Sequence, residues 1–475
     1  MRTALFPLLV LLVTALLAAA HVGRGLRVPA AGEFRKRAAP ALRFARGDPK
    51  SEEEERKISS AEKQCHGYDY ESQSKLRKKY PKDNHIASIV DGDEDAQKVW
   101  DDIKSSGIIP DDVEVRSSTD GHMGITDSEN DDYSDDDPDC WWTASKCTKP
   151  KHDKLNPDVS TCPEKGTWGL TFDDGPNCSH NAFYDFLQQH KLKATMFFIG
   201  ANVMDWPYQA QRALVDGHDI CVHTWSHKYM TTLANDNVFA ELYYTARIIK
   251  DVMGVTPRCW RPPYGDVDDR VRAIAHGLGL RTILWEDDTS DWDIKPDETK
   301  PTASIDANYK SIMSKQTAGK YSTAGPIILT HEISNATMTE FERMYSKMKK
   351  SFKHIVPVTA CLNVTRPYAE DTLTYPSFMQ FIGGSHAKGL PKSNELNITA
   401  DGDMHITPES KQSEPGGFSP QSPKSRQLDS DHLRNRDDDD DDDDDKGGGK
   451  SSGMAVVPNV YVVAIIVICM HMLIG

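Results

Sequence analysis

Short apolar runs alternate with helical patterns in the middle of the chain, between residues 140 and 370. The runs have the length of strands and read WGLTF, ATMFFI, DICVH, TILW, PIIL and IVPV. In the stretches between them, apolar residues recur at the spacing of one helix face, as do Val238, Leu242 and Ile249. About seven such strand–helix units predict an α/β fold with a parallel sheet, either open or closed into a barrel.

The regions on either side are poor in apolar residues and rich in acidic ones, in a chain of 475 residues with a formal net charge of -16. Residues 21–139 are predicted to form an acidic, largely disordered segment or propeptide, because so few apolar side chains cannot offset the entropy lost on ordering. Residues 371–446 are rich in Ser, Pro, Lys and Asp and contain nine consecutive aspartates, Asp437 to Asp445. This composition predicts a solvated stalk.

Both ends of the chain have the pattern of processing signals. A basic residue, an apolar run and three alanines are typical of a secretory signal peptide over residues 1–20. Residues 447–475 combine small residues, a spacer and an apolar tail, which is the pattern of a GPI-anchor signal with Gly447 and Ser451 as candidate attachment residues. The alternative for the tail is a single transmembrane helix. In both cases the folded region would face the outside of the cell.

An extracellular location fits the cysteine content. The chain has nine cysteines, and eight remain once the apolar tail is removed. None of the eight has CxxC spacing, which favours structural disulfides over a thiolate metal site, and the sequence leaves their pairing open. Sequons predict N-glycosylation at Asn335, Asn363 and Asn397.

Polar side chains follow several of the predicted strands. Asp173 and Asp174 end the run WGLTF, and two like charges this close are costly to bury without a compensating cation. The cluster HTWSH follows another run and places His223 and His227 four residues apart, so that both imidazoles project to one side of a helical turn. Two histidines and one aspartate form a candidate metal site, and the second aspartate is left free as a base.

Three further clusters complete the candidate chemistry. Arg261 in RPPYG can pair with the free aspartate, and the prolines before Tyr264 stiffen a turn whose backbone N–H can face a developing oxyanion. Asp291 and Trp292 lie in DTSDW, and His331 lies in LTHE. A histidine that a carboxylate orients can protonate a leaving group. The alternative for RPPYG is an ordinary turn before a helix.

The five clusters TFDDG, HTWSH, RPPYG, DTSDW and LTHE occur in the order of the family motifs of polysaccharide deacetylases. The segment from Trp168 to Val358, less than half of the chain, resembles these enzymes, which form carbohydrate esterase family four and are also called NodB-like. Within the family it is most similar to fungal chitin deacetylases. The resemblance implies a distorted (β/α) barrel of about seven to eight parallel strands in a catalytic domain over residues 140–370, flanked by disordered acidic segments.

The resemblance also implies a role for each matching residue. Asp173 would be the general base, held by Arg261. The three residues Asp174, His223 and His227 would bind one divalent metal ion, Zn²⁺ or Co²⁺.

The remaining matches concern the substrate. The backbone N–H of Tyr264 would bind the oxyanion, and Asp291 would tune His331 as the general acid. Trp292 would line the groove, and Leu329 would line the pocket for the acetyl methyl group.

The implied reaction removes N-acetyl groups from the N-acetylglucosamine units of chitin or chitooligosaccharides, giving chitosan and acetate. It would take place at the outer face of the plasma membrane or in the cell wall, on a monomer held by the GPI lipid, without a nucleic-acid partner. One alternative is a deacetylase of another acetylated glycan, such as acetylxylan or peptidoglycan. Another is a catalytically inactive wall-binding glycoprotein.

Two further features concern the edges of the matching segment. Cys162 and Cys361 bracket it, and a disulfide between them would clamp its two ends. Trp141 and Trp142, in CWWTASKC, are either a platform for sugar stacking or a hydrophobic plug on the outer surface of the barrel.

Overall fold

The computed structural model describes residues 47–418, apart from residues 84, 295–302, 401, 403, 405 and 413–416. The signal peptide predicted over residues 1–20 and the attachment candidates Gly447 and Ser451 lie outside the described residues. Within the described part of the chain, no helix is both long enough and apolar enough to cross a bilayer.

The elements alternate along the chain as the apolar pattern predicts. The strands are β1 (Ser118–Thr119), β2 (Gly124–Ile125), β3 (Thr161–Cys162), β4 (Thr167–Gly175), β5 (Thr195–Phe198), β6 (Asp219–Val222), β7 (Cys259–Trp260), β8 (Arg281–Thr282), β9 (Asp287–Asp288), β10 (Gly325–Leu329) and β11 (His354–Val356). The α-helices are Glu52–Glu55, Ala61–Gln64, Gln73–Lys79, Glu94–Ser105, Asp127–Asp131, Trp142–Ser145, Asn181–Gln189, Gly200–Asp205, Pro207–Val215, Asn235–Met253, Asp269–Gly277, Ala303–Thr317, Asn335–Ser351, Val358–Cys361 and Phe378–Ile382. Short 3-10 helices span Met230–Thr232, Pro263–Gly265, Asp291–Asp293 and Glu409–Lys411.

Parallel strands form a sheet that curls into a distorted barrel. From β4 the order runs through β5, β6, β7 and β8 on one side, where β11 pairs with the first residues of β4, while β10 pairs with β4 on the other side. β9 pairs with β10, and β8 and β9 are consecutive parts of the segment 281–288, so the strand path returns to β4. The strands β4 to β11 pair in parallel, and β3 joins β10 in antiparallel orientation. The predicted fold class is confirmed.

The sequence of β4 explains its central place. Strands that are covered on both faces read as continuous apolar runs, and every residue of β4 is buried except Asp174, which is half-buried. The rings of Trp168 and Phe172 meet the helix layer, where Phe172 lies edge-on to Phe341 at 5.0 Å between ring centroids. The strand therefore presents its one partly accessible side chain at its carboxyl end.

The structure corrects the prediction for residues 21–139 over the part that is described. Residues 47–139, apart from residue 84, contain short helices and the paired strands β1 and β2, and they pack against the barrel domain. Tyr80 stacks on Trp225 with ring centroids 5.6 Å apart, and Trp100 packs on Phe239 at 5.2 Å. A few aromatic residues anchor the segment because the barrel domain offers them apolar surface, which composition alone does not reveal. The folded region therefore includes residues well before position 140.

The stalk predicted over residues 371–446 also begins later than its composition indicates. The side chain of Tyr375 is buried, and its hydroxyl donates to the carbonyl oxygen of His218 at 3.1 Å. Glu409 is buried and accepts a hydrogen bond from Arg281 at 2.6 Å. These contacts attach the described residues after position 370 to the barrel domain.

Four disulfides connect the eight cysteines of the described residues. They are Cys65–Cys178, Cys140–Cys147, Cys162–Cys361 and Cys221–Cys259. The structure contains the predicted pair Cys162–Cys361, with a Cα–Cα distance of 5.3 Å, and it links β3 to the short helix after β11. This bridge joins the beginning of the barrel to its end.

Candidate active site

The candidate residues meet because the carboxyl ends of parallel strands share one edge of a sheet. The pair Asp173 and Asp174 ends β4, where the register to β5 shifts between positions 173 and 175. His223 follows β6, Arg261 follows β7, and His331 follows β10. The register shift and a left-handed backbone at Asp174, with φ of 71°, turn the two adjacent carboxylates in different directions.

Three side chains converge on one point. The Oδ1 atom of Asp174 lies 3.3 Å from Nε2 of His223 and 3.0 Å from Nε2 of His227. These three residues form a group whose ligand atoms lie within 4.8 Å of one another. The buried Asp174 Oδ1 has no hydrogen-bond partner, although it faces two ring nitrogens. A carboxylate and two imidazoles are a donor set of catalytic zinc sites, so these residues fit a divalent metal ion.

The second nitrogen of each histidine has a partner that orients the ring. His223 Nδ1 lies 2.8 Å from the carbonyl oxygen of Arg261, and His227 Nδ1 lies 3.2 Å from the hydroxyl of Tyr264. A carbonyl accepts a hydrogen bond, so Nδ1 of His223 is the donor and Nε2 keeps its lone pair for a metal. Metal-binding histidines commonly have such an outer partner.

The imidazoles also determine the charge state of Asp174. Burial raises the pKa of this carboxyl, but the neighbouring His227 and His223 outweigh burial and hold the pKa well below its usual value. Asp174 is therefore a carboxylate over the whole neutral range, as a metal ligand must be.

The other carboxylate has a different partner. Asp173 Oδ1 accepts a hydrogen bond from Nη1 of Arg261 at 2.7 Å, and its Oδ2 lies 3.8 Å from Nε2 of His223. The guanidinium is fully buried and also donates to Oγ1 of Thr171 at 2.8 Å and to the carbonyl of Leu284 at 3.2 Å. Arg261 thus compensates the charge of Asp173 and fixes its direction, which leaves Oδ2 facing the two-histidine cluster.

His331 and Asp291 form a second buried pair. His331 Nδ1 lies 2.6 Å from Asp291 Oδ1, and the backbone N–H of His331 donates to Asp291 Oδ2 at 3.0 Å. Burial lowers the pKa of His331, but Asp291 outweighs it and, with Asp174 and Asp173, raises the pKa to about 9. The imidazole is therefore protonated at neutral pH and can donate from Nε2.

The three predicted substrate contacts differ in exposure. Tyr264 is 38% exposed and Trp292 is 54% exposed, whereas Leu329 is only 5% exposed. The indole N–H of Trp292 points to Oδ2 of Asp288 at 3.5 Å. Two aromatic rings thus remain open beside the site, while Leu329 belongs to the buried strand β10.

The glycosylation candidates lie on the surface. Asn335, Asn363 and Asn397 are all exposed. The side-chain oxygens of the first two accept hydrogen bonds, from the hydroxyl of Ser179 at 2.8 Å and from the backbone N–H of Phe378 at 2.9 Å. Glycan attachment at these positions stays a prediction.

Sequence reasoning missed Glu241, a buried carboxylate that binds the backbone between His223 and His227. Glu241 Oε2 accepts the backbone N–H groups of Trp225 and Ser226, both at 2.8 Å. Its Oε1 accepts the hydroxyl of Ser226 at 2.6 Å and the backbone N–H of Ala87 at 2.8 Å. The sequence feature that could have revealed it is a glutamate on the apolar face of the helix Asn235–Met253, because an acidic side chain that is buried there needs hydrogen-bond partners.

The chain matches known proteins over this region. Residues 160–283 match the polysaccharide deacetylase family. Chitin deacetylase 2 of Cryptococcus neoformans var. grubii is 50% identical over 324 residues, which cover 68% of this chain and 70% of that one. The chitin deacetylase of Amylomyces rouxii is 53% identical over 235 residues, 50% of this chain and 55% of that one.

A solved structure is similar in part. The chitin deacetylase of Colletotrichum lindemuthianum is 22% identical, with a TM-score of 0.40 over 44% of this chain and 92% of that one. Because the Cryptococcus neoformans relative matches over two thirds of both chains at 50% identity, the chain belongs to the polysaccharide deacetylase family, which includes these fungal chitin deacetylases.

Proposed function

We propose that the protein is a metal-dependent hydrolase that removes N-acetyl groups from the N-acetylglucosamine units of chitin. The observation that carries this proposal is that two adjacent carboxylates have different partners. Asp174 faces two imidazoles, whereas the neighbouring Asp173 is paired with Arg261. Relatives named chitin deacetylase, at 50% and 53% identity, support chitin as the substrate.

Asp174, His223 and His227 are the residues that would hold the metal, and the same three donors suit Zn²⁺ and Co²⁺. When bound, such an ion supplies Lewis-acid chemistry toward the acetamide carbonyl and lowers the pKa of water. The side chains of the barrel transfer the protons and hold the reacting groups in the required orientation.

Asp173 is the proposed general base. It takes a proton from the attacking water through Oδ2 while Arg261 holds Oδ1 at 2.7 Å. The water oxygen forms a bond to the acetamide carbon, and the carbonyl oxygen becomes an oxyanion. The backbone N–H of Tyr264, in a turn with φ of 61°, is the proposed donor to this oxyanion.

His331 completes the reaction as the proposed general acid. It donates its Nε2 proton to the sugar nitrogen as the carbon–nitrogen bond breaks, which releases acetate and a glucosamine unit. Asp291 holds Nδ1 of the ring at 2.6 Å and so directs Nε2 toward the site. The exposed ring of Trp292 is the proposed groove surface for a sugar, and Leu329 is the proposed wall beside the acetyl methyl group.

The protein is also proposed to act outside the cell, at the cell wall. Four disulfides support folding in an oxidising compartment, which fits secretion to the cell wall. Attachment of a GPI lipid at Gly447 or Ser451 rests on the sequence pattern. Action as a monomer is part of the same proposal. Glycans at Asn335, Asn363 and Asn397 would face outward from the domain.

A substrate panel tests the proposal. Acetate release by the full secreted chain is measured on chitohexaose, acetylxylan and peptidoglycan fragments at equal acetyl concentration. We expect the largest kcat/KM on chitohexaose. Peptidoglycan is the informative competitor, because a deacetylase of that polymer from Listeria monocytogenes is 31% identical over 203 residues. A larger kcat/KM on peptidoglycan or acetylxylan would reassign the substrate, and no release from any of the three would favour a wall-binding glycoprotein.

The pH profile of Asp291→Asn tests the general acid. In wild type the raised pKa of His331, about 9, keeps the acid protonated at neutral pH. The value of kcat/KM therefore falls only as the pH rises through that pKa. A bound metal ion nearby would lower the pKa and move this fall to lower pH. Without the Asp291 carboxylate the pKa falls. The alkaline limb should therefore move to lower pH by about 1–3 units.

Asp293→Asn is the matched control for this profile, because Asp293 is an exposed aspartate two residues away. Its alkaline limb should coincide with that of wild type. If Asp291→Asn also leaves the limb in place, His331 is not the acid that the limb reports.

A further inference from the structure

The loop closed by the Cys140–Cys147 disulfide packs behind the proposed oxyanion turn, Pro263–Gly265. Its two tryptophans are buried, Trp141 completely and Trp142 to 6% exposure. Neither ring is therefore available as a platform for sugar stacking, one of the two alternatives that the sequence left open. The rings instead contact the segments that build the active site.

Trp142 lies directly against the turn. A Cβ atom at Gly265 would come within 2.2 Å of Cζ3 of Trp142, so the close approach of the ring requires glycine at that position. Gly265 also has a φ of 73°, which favours glycine. The backbone N–H of Trp142 donates to the carbonyl of Val267 at 3.0 Å, and its ring meets Trp285 edge-on at 4.6 Å. The ring thus fills the space behind the turn.

Asp266 joins this loop to the segment that follows the histidine pair. Its Oδ1 accepts the indole N–H of Trp141 at 2.9 Å and the hydroxyl of Thr143 at 2.7 Å. Its Oδ2 accepts the backbone N–H and the hydroxyl of Thr231, both at 2.8 Å. One fully buried carboxylate therefore connects the Cys140–Cys147 loop, the oxyanion turn and the residues after His227.

The turn itself contains an uncommon conformation. Tyr264 has a φ of 61° and a ψ of 4°, in the left-handed region that bulky residues rarely adopt. Its ring stacks on Tyr229 with centroids 4.1 Å apart, and its hydroxyl lies 3.2 Å from Nδ1 of His227. Such a conformation persists only where the surrounding structure holds it. Trp142 and Asp266 provide the support on the side away from the groove.

We propose that the Cys140–Cys147 loop is a positioning element for the oxyanion donor, with Trp142 as its principal positioning residue. This inference rests on the proposed function. Trp142 is 6% exposed and lies behind Gly265, so it would act on the oxyanion indirectly, through the direction of the Tyr264 N–H. A misdirected donor stabilises the oxyanion of the transition state less well, whereas it changes the binding of the substrate in its ground state little. The loop should therefore affect kcat and leave KM in place once the metal site is saturated, because the Tyr264 hydroxyl also lies 3.2 Å from Nδ1 of His227.

The test is Trp142→Ala in the full chain, with kcat and KM on chitohexaose, metal content and thermal unfolding measured together. We expect kcat to fall by about 10- to 100-fold, somewhat less than complete loss of an oxyanion donor. At saturating Zn²⁺, KM should change by less than about threefold and the metal content should equal that of wild type. Trp142→Phe, which keeps a ring behind Gly265, should recover most of kcat.

Trp100→Ala is the matched control. Trp100 is also 6% exposed and also comes from the segment before the barrel, but it packs on Phe239, away from the turn. It should lower the unfolding temperature and leave kcat per folded molecule unchanged. If Trp142→Ala keeps the wild-type kcat, or if Trp100→Ala lowers kcat equally, the loop has no positioning role and the proposal is overturned.

The double variant Cys140→Ser/Cys147→Ser is used if Trp142→Ala does not fold. It opens the loop without removing the ring, and the same fall in kcat at constant KM is expected; an unchanged kcat contradicts the proposal. Wild type is assayed in parallel. Absence of acetate release by wild type would count against the proposed function, whereas a failure of this inference would show only in the variants.

Discussion

Replacing Asp173 with asparagine is expected to lower kcat for chitohexaose by about 10²- to 10⁴-fold, the usual contribution of a positioned general base. Asparagine has nearly the same shape and can still accept from Arg261, which holds Oδ1 at 2.7 Å. It cannot take a proton from water. Metal content should stay at the wild-type level, because Asp173 lies outside the group of three converging ligands. Acetate release and metal analysis of the same sample check both parts.

Asp174→Asn is the paired experiment for that prediction. The two aspartates are adjacent in sequence, but only Asp174 lies within 3.3 Å of both Nε2 atoms. Its replacement should reduce metal content together with activity. If Asp173→Asn loses the metal and Asp174→Asn keeps it, the two roles are reversed and the assignment is wrong.

Replacing His223 with alanine should abolish both metal binding and catalysis at ordinary metal concentrations. Loss of an outer partner of a ligand typically costs about 10- to 100-fold in metal affinity, and loss of the ligand itself should cost at least as much. His223 is 2% exposed and its Nε2 lies 3.3 Å from Asp174 Oδ1, so alanine removes one of the three converging ligands. Titration with Zn²⁺ or Co²⁺, followed by equilibrium dialysis, measures the loss.

His354→Ala is the control for the histidine variant. His354 pairs with Thr167 at the amino end of β4, whereas the site lies at the carboxyl end of that strand. This variant should keep wild-type metal affinity and activity. If His223→Ala retains wild-type metal affinity, the three-residue group is not the metal site.

Much of the site could be predicted because its residues follow apolar runs. Each run predicts a strand, and a parallel sheet brings the carboxyl ends together. The structure places Asp174, His223 and His227 within ligand distance of one another, as their positions at the end of β4 and after β6 indicate. The pairs Asp173–Arg261 and Asp291–His331 form at 2.7 and 2.6 Å. The catalytic roles of these residues stay predictions.

The supporting carboxylates were not predictable by the same reasoning. Asp266 and Glu241 are buried acids whose partners come from distant parts of the chain, such as the indole of Trp141 and the backbone N–H of Ala87. No local spacing marks such partners, because they meet only after the segment before the barrel has packed. A buried carboxylate is recognised by its accepted hydrogen bonds, which require coordinates.

The segment before the barrel was misjudged for a related reason. Its acidic composition predicts disorder, yet Tyr80 and Trp100 are 4% and 6% exposed. Their partners, Trp225 and Phe239, belong to the barrel domain. Average composition reports whether a segment can form its own core, and this segment instead adds to an existing one.

The most direct test of the central claim is acetate release from chitohexaose by the full secreted chain through one cycle of metal removal and return. Activity is measured as purified, after dialysis against a chelator, and after addition of Zn²⁺, Co²⁺ or Mg²⁺. Metal-dependent deacetylation predicts acetate release that disappears on chelation and returns with Zn²⁺ or Co²⁺ but not with Mg²⁺, which prefers oxygen ligands. Release at an undiminished rate from the metal-free protein, or none from folded and metal-loaded protein, would contradict it.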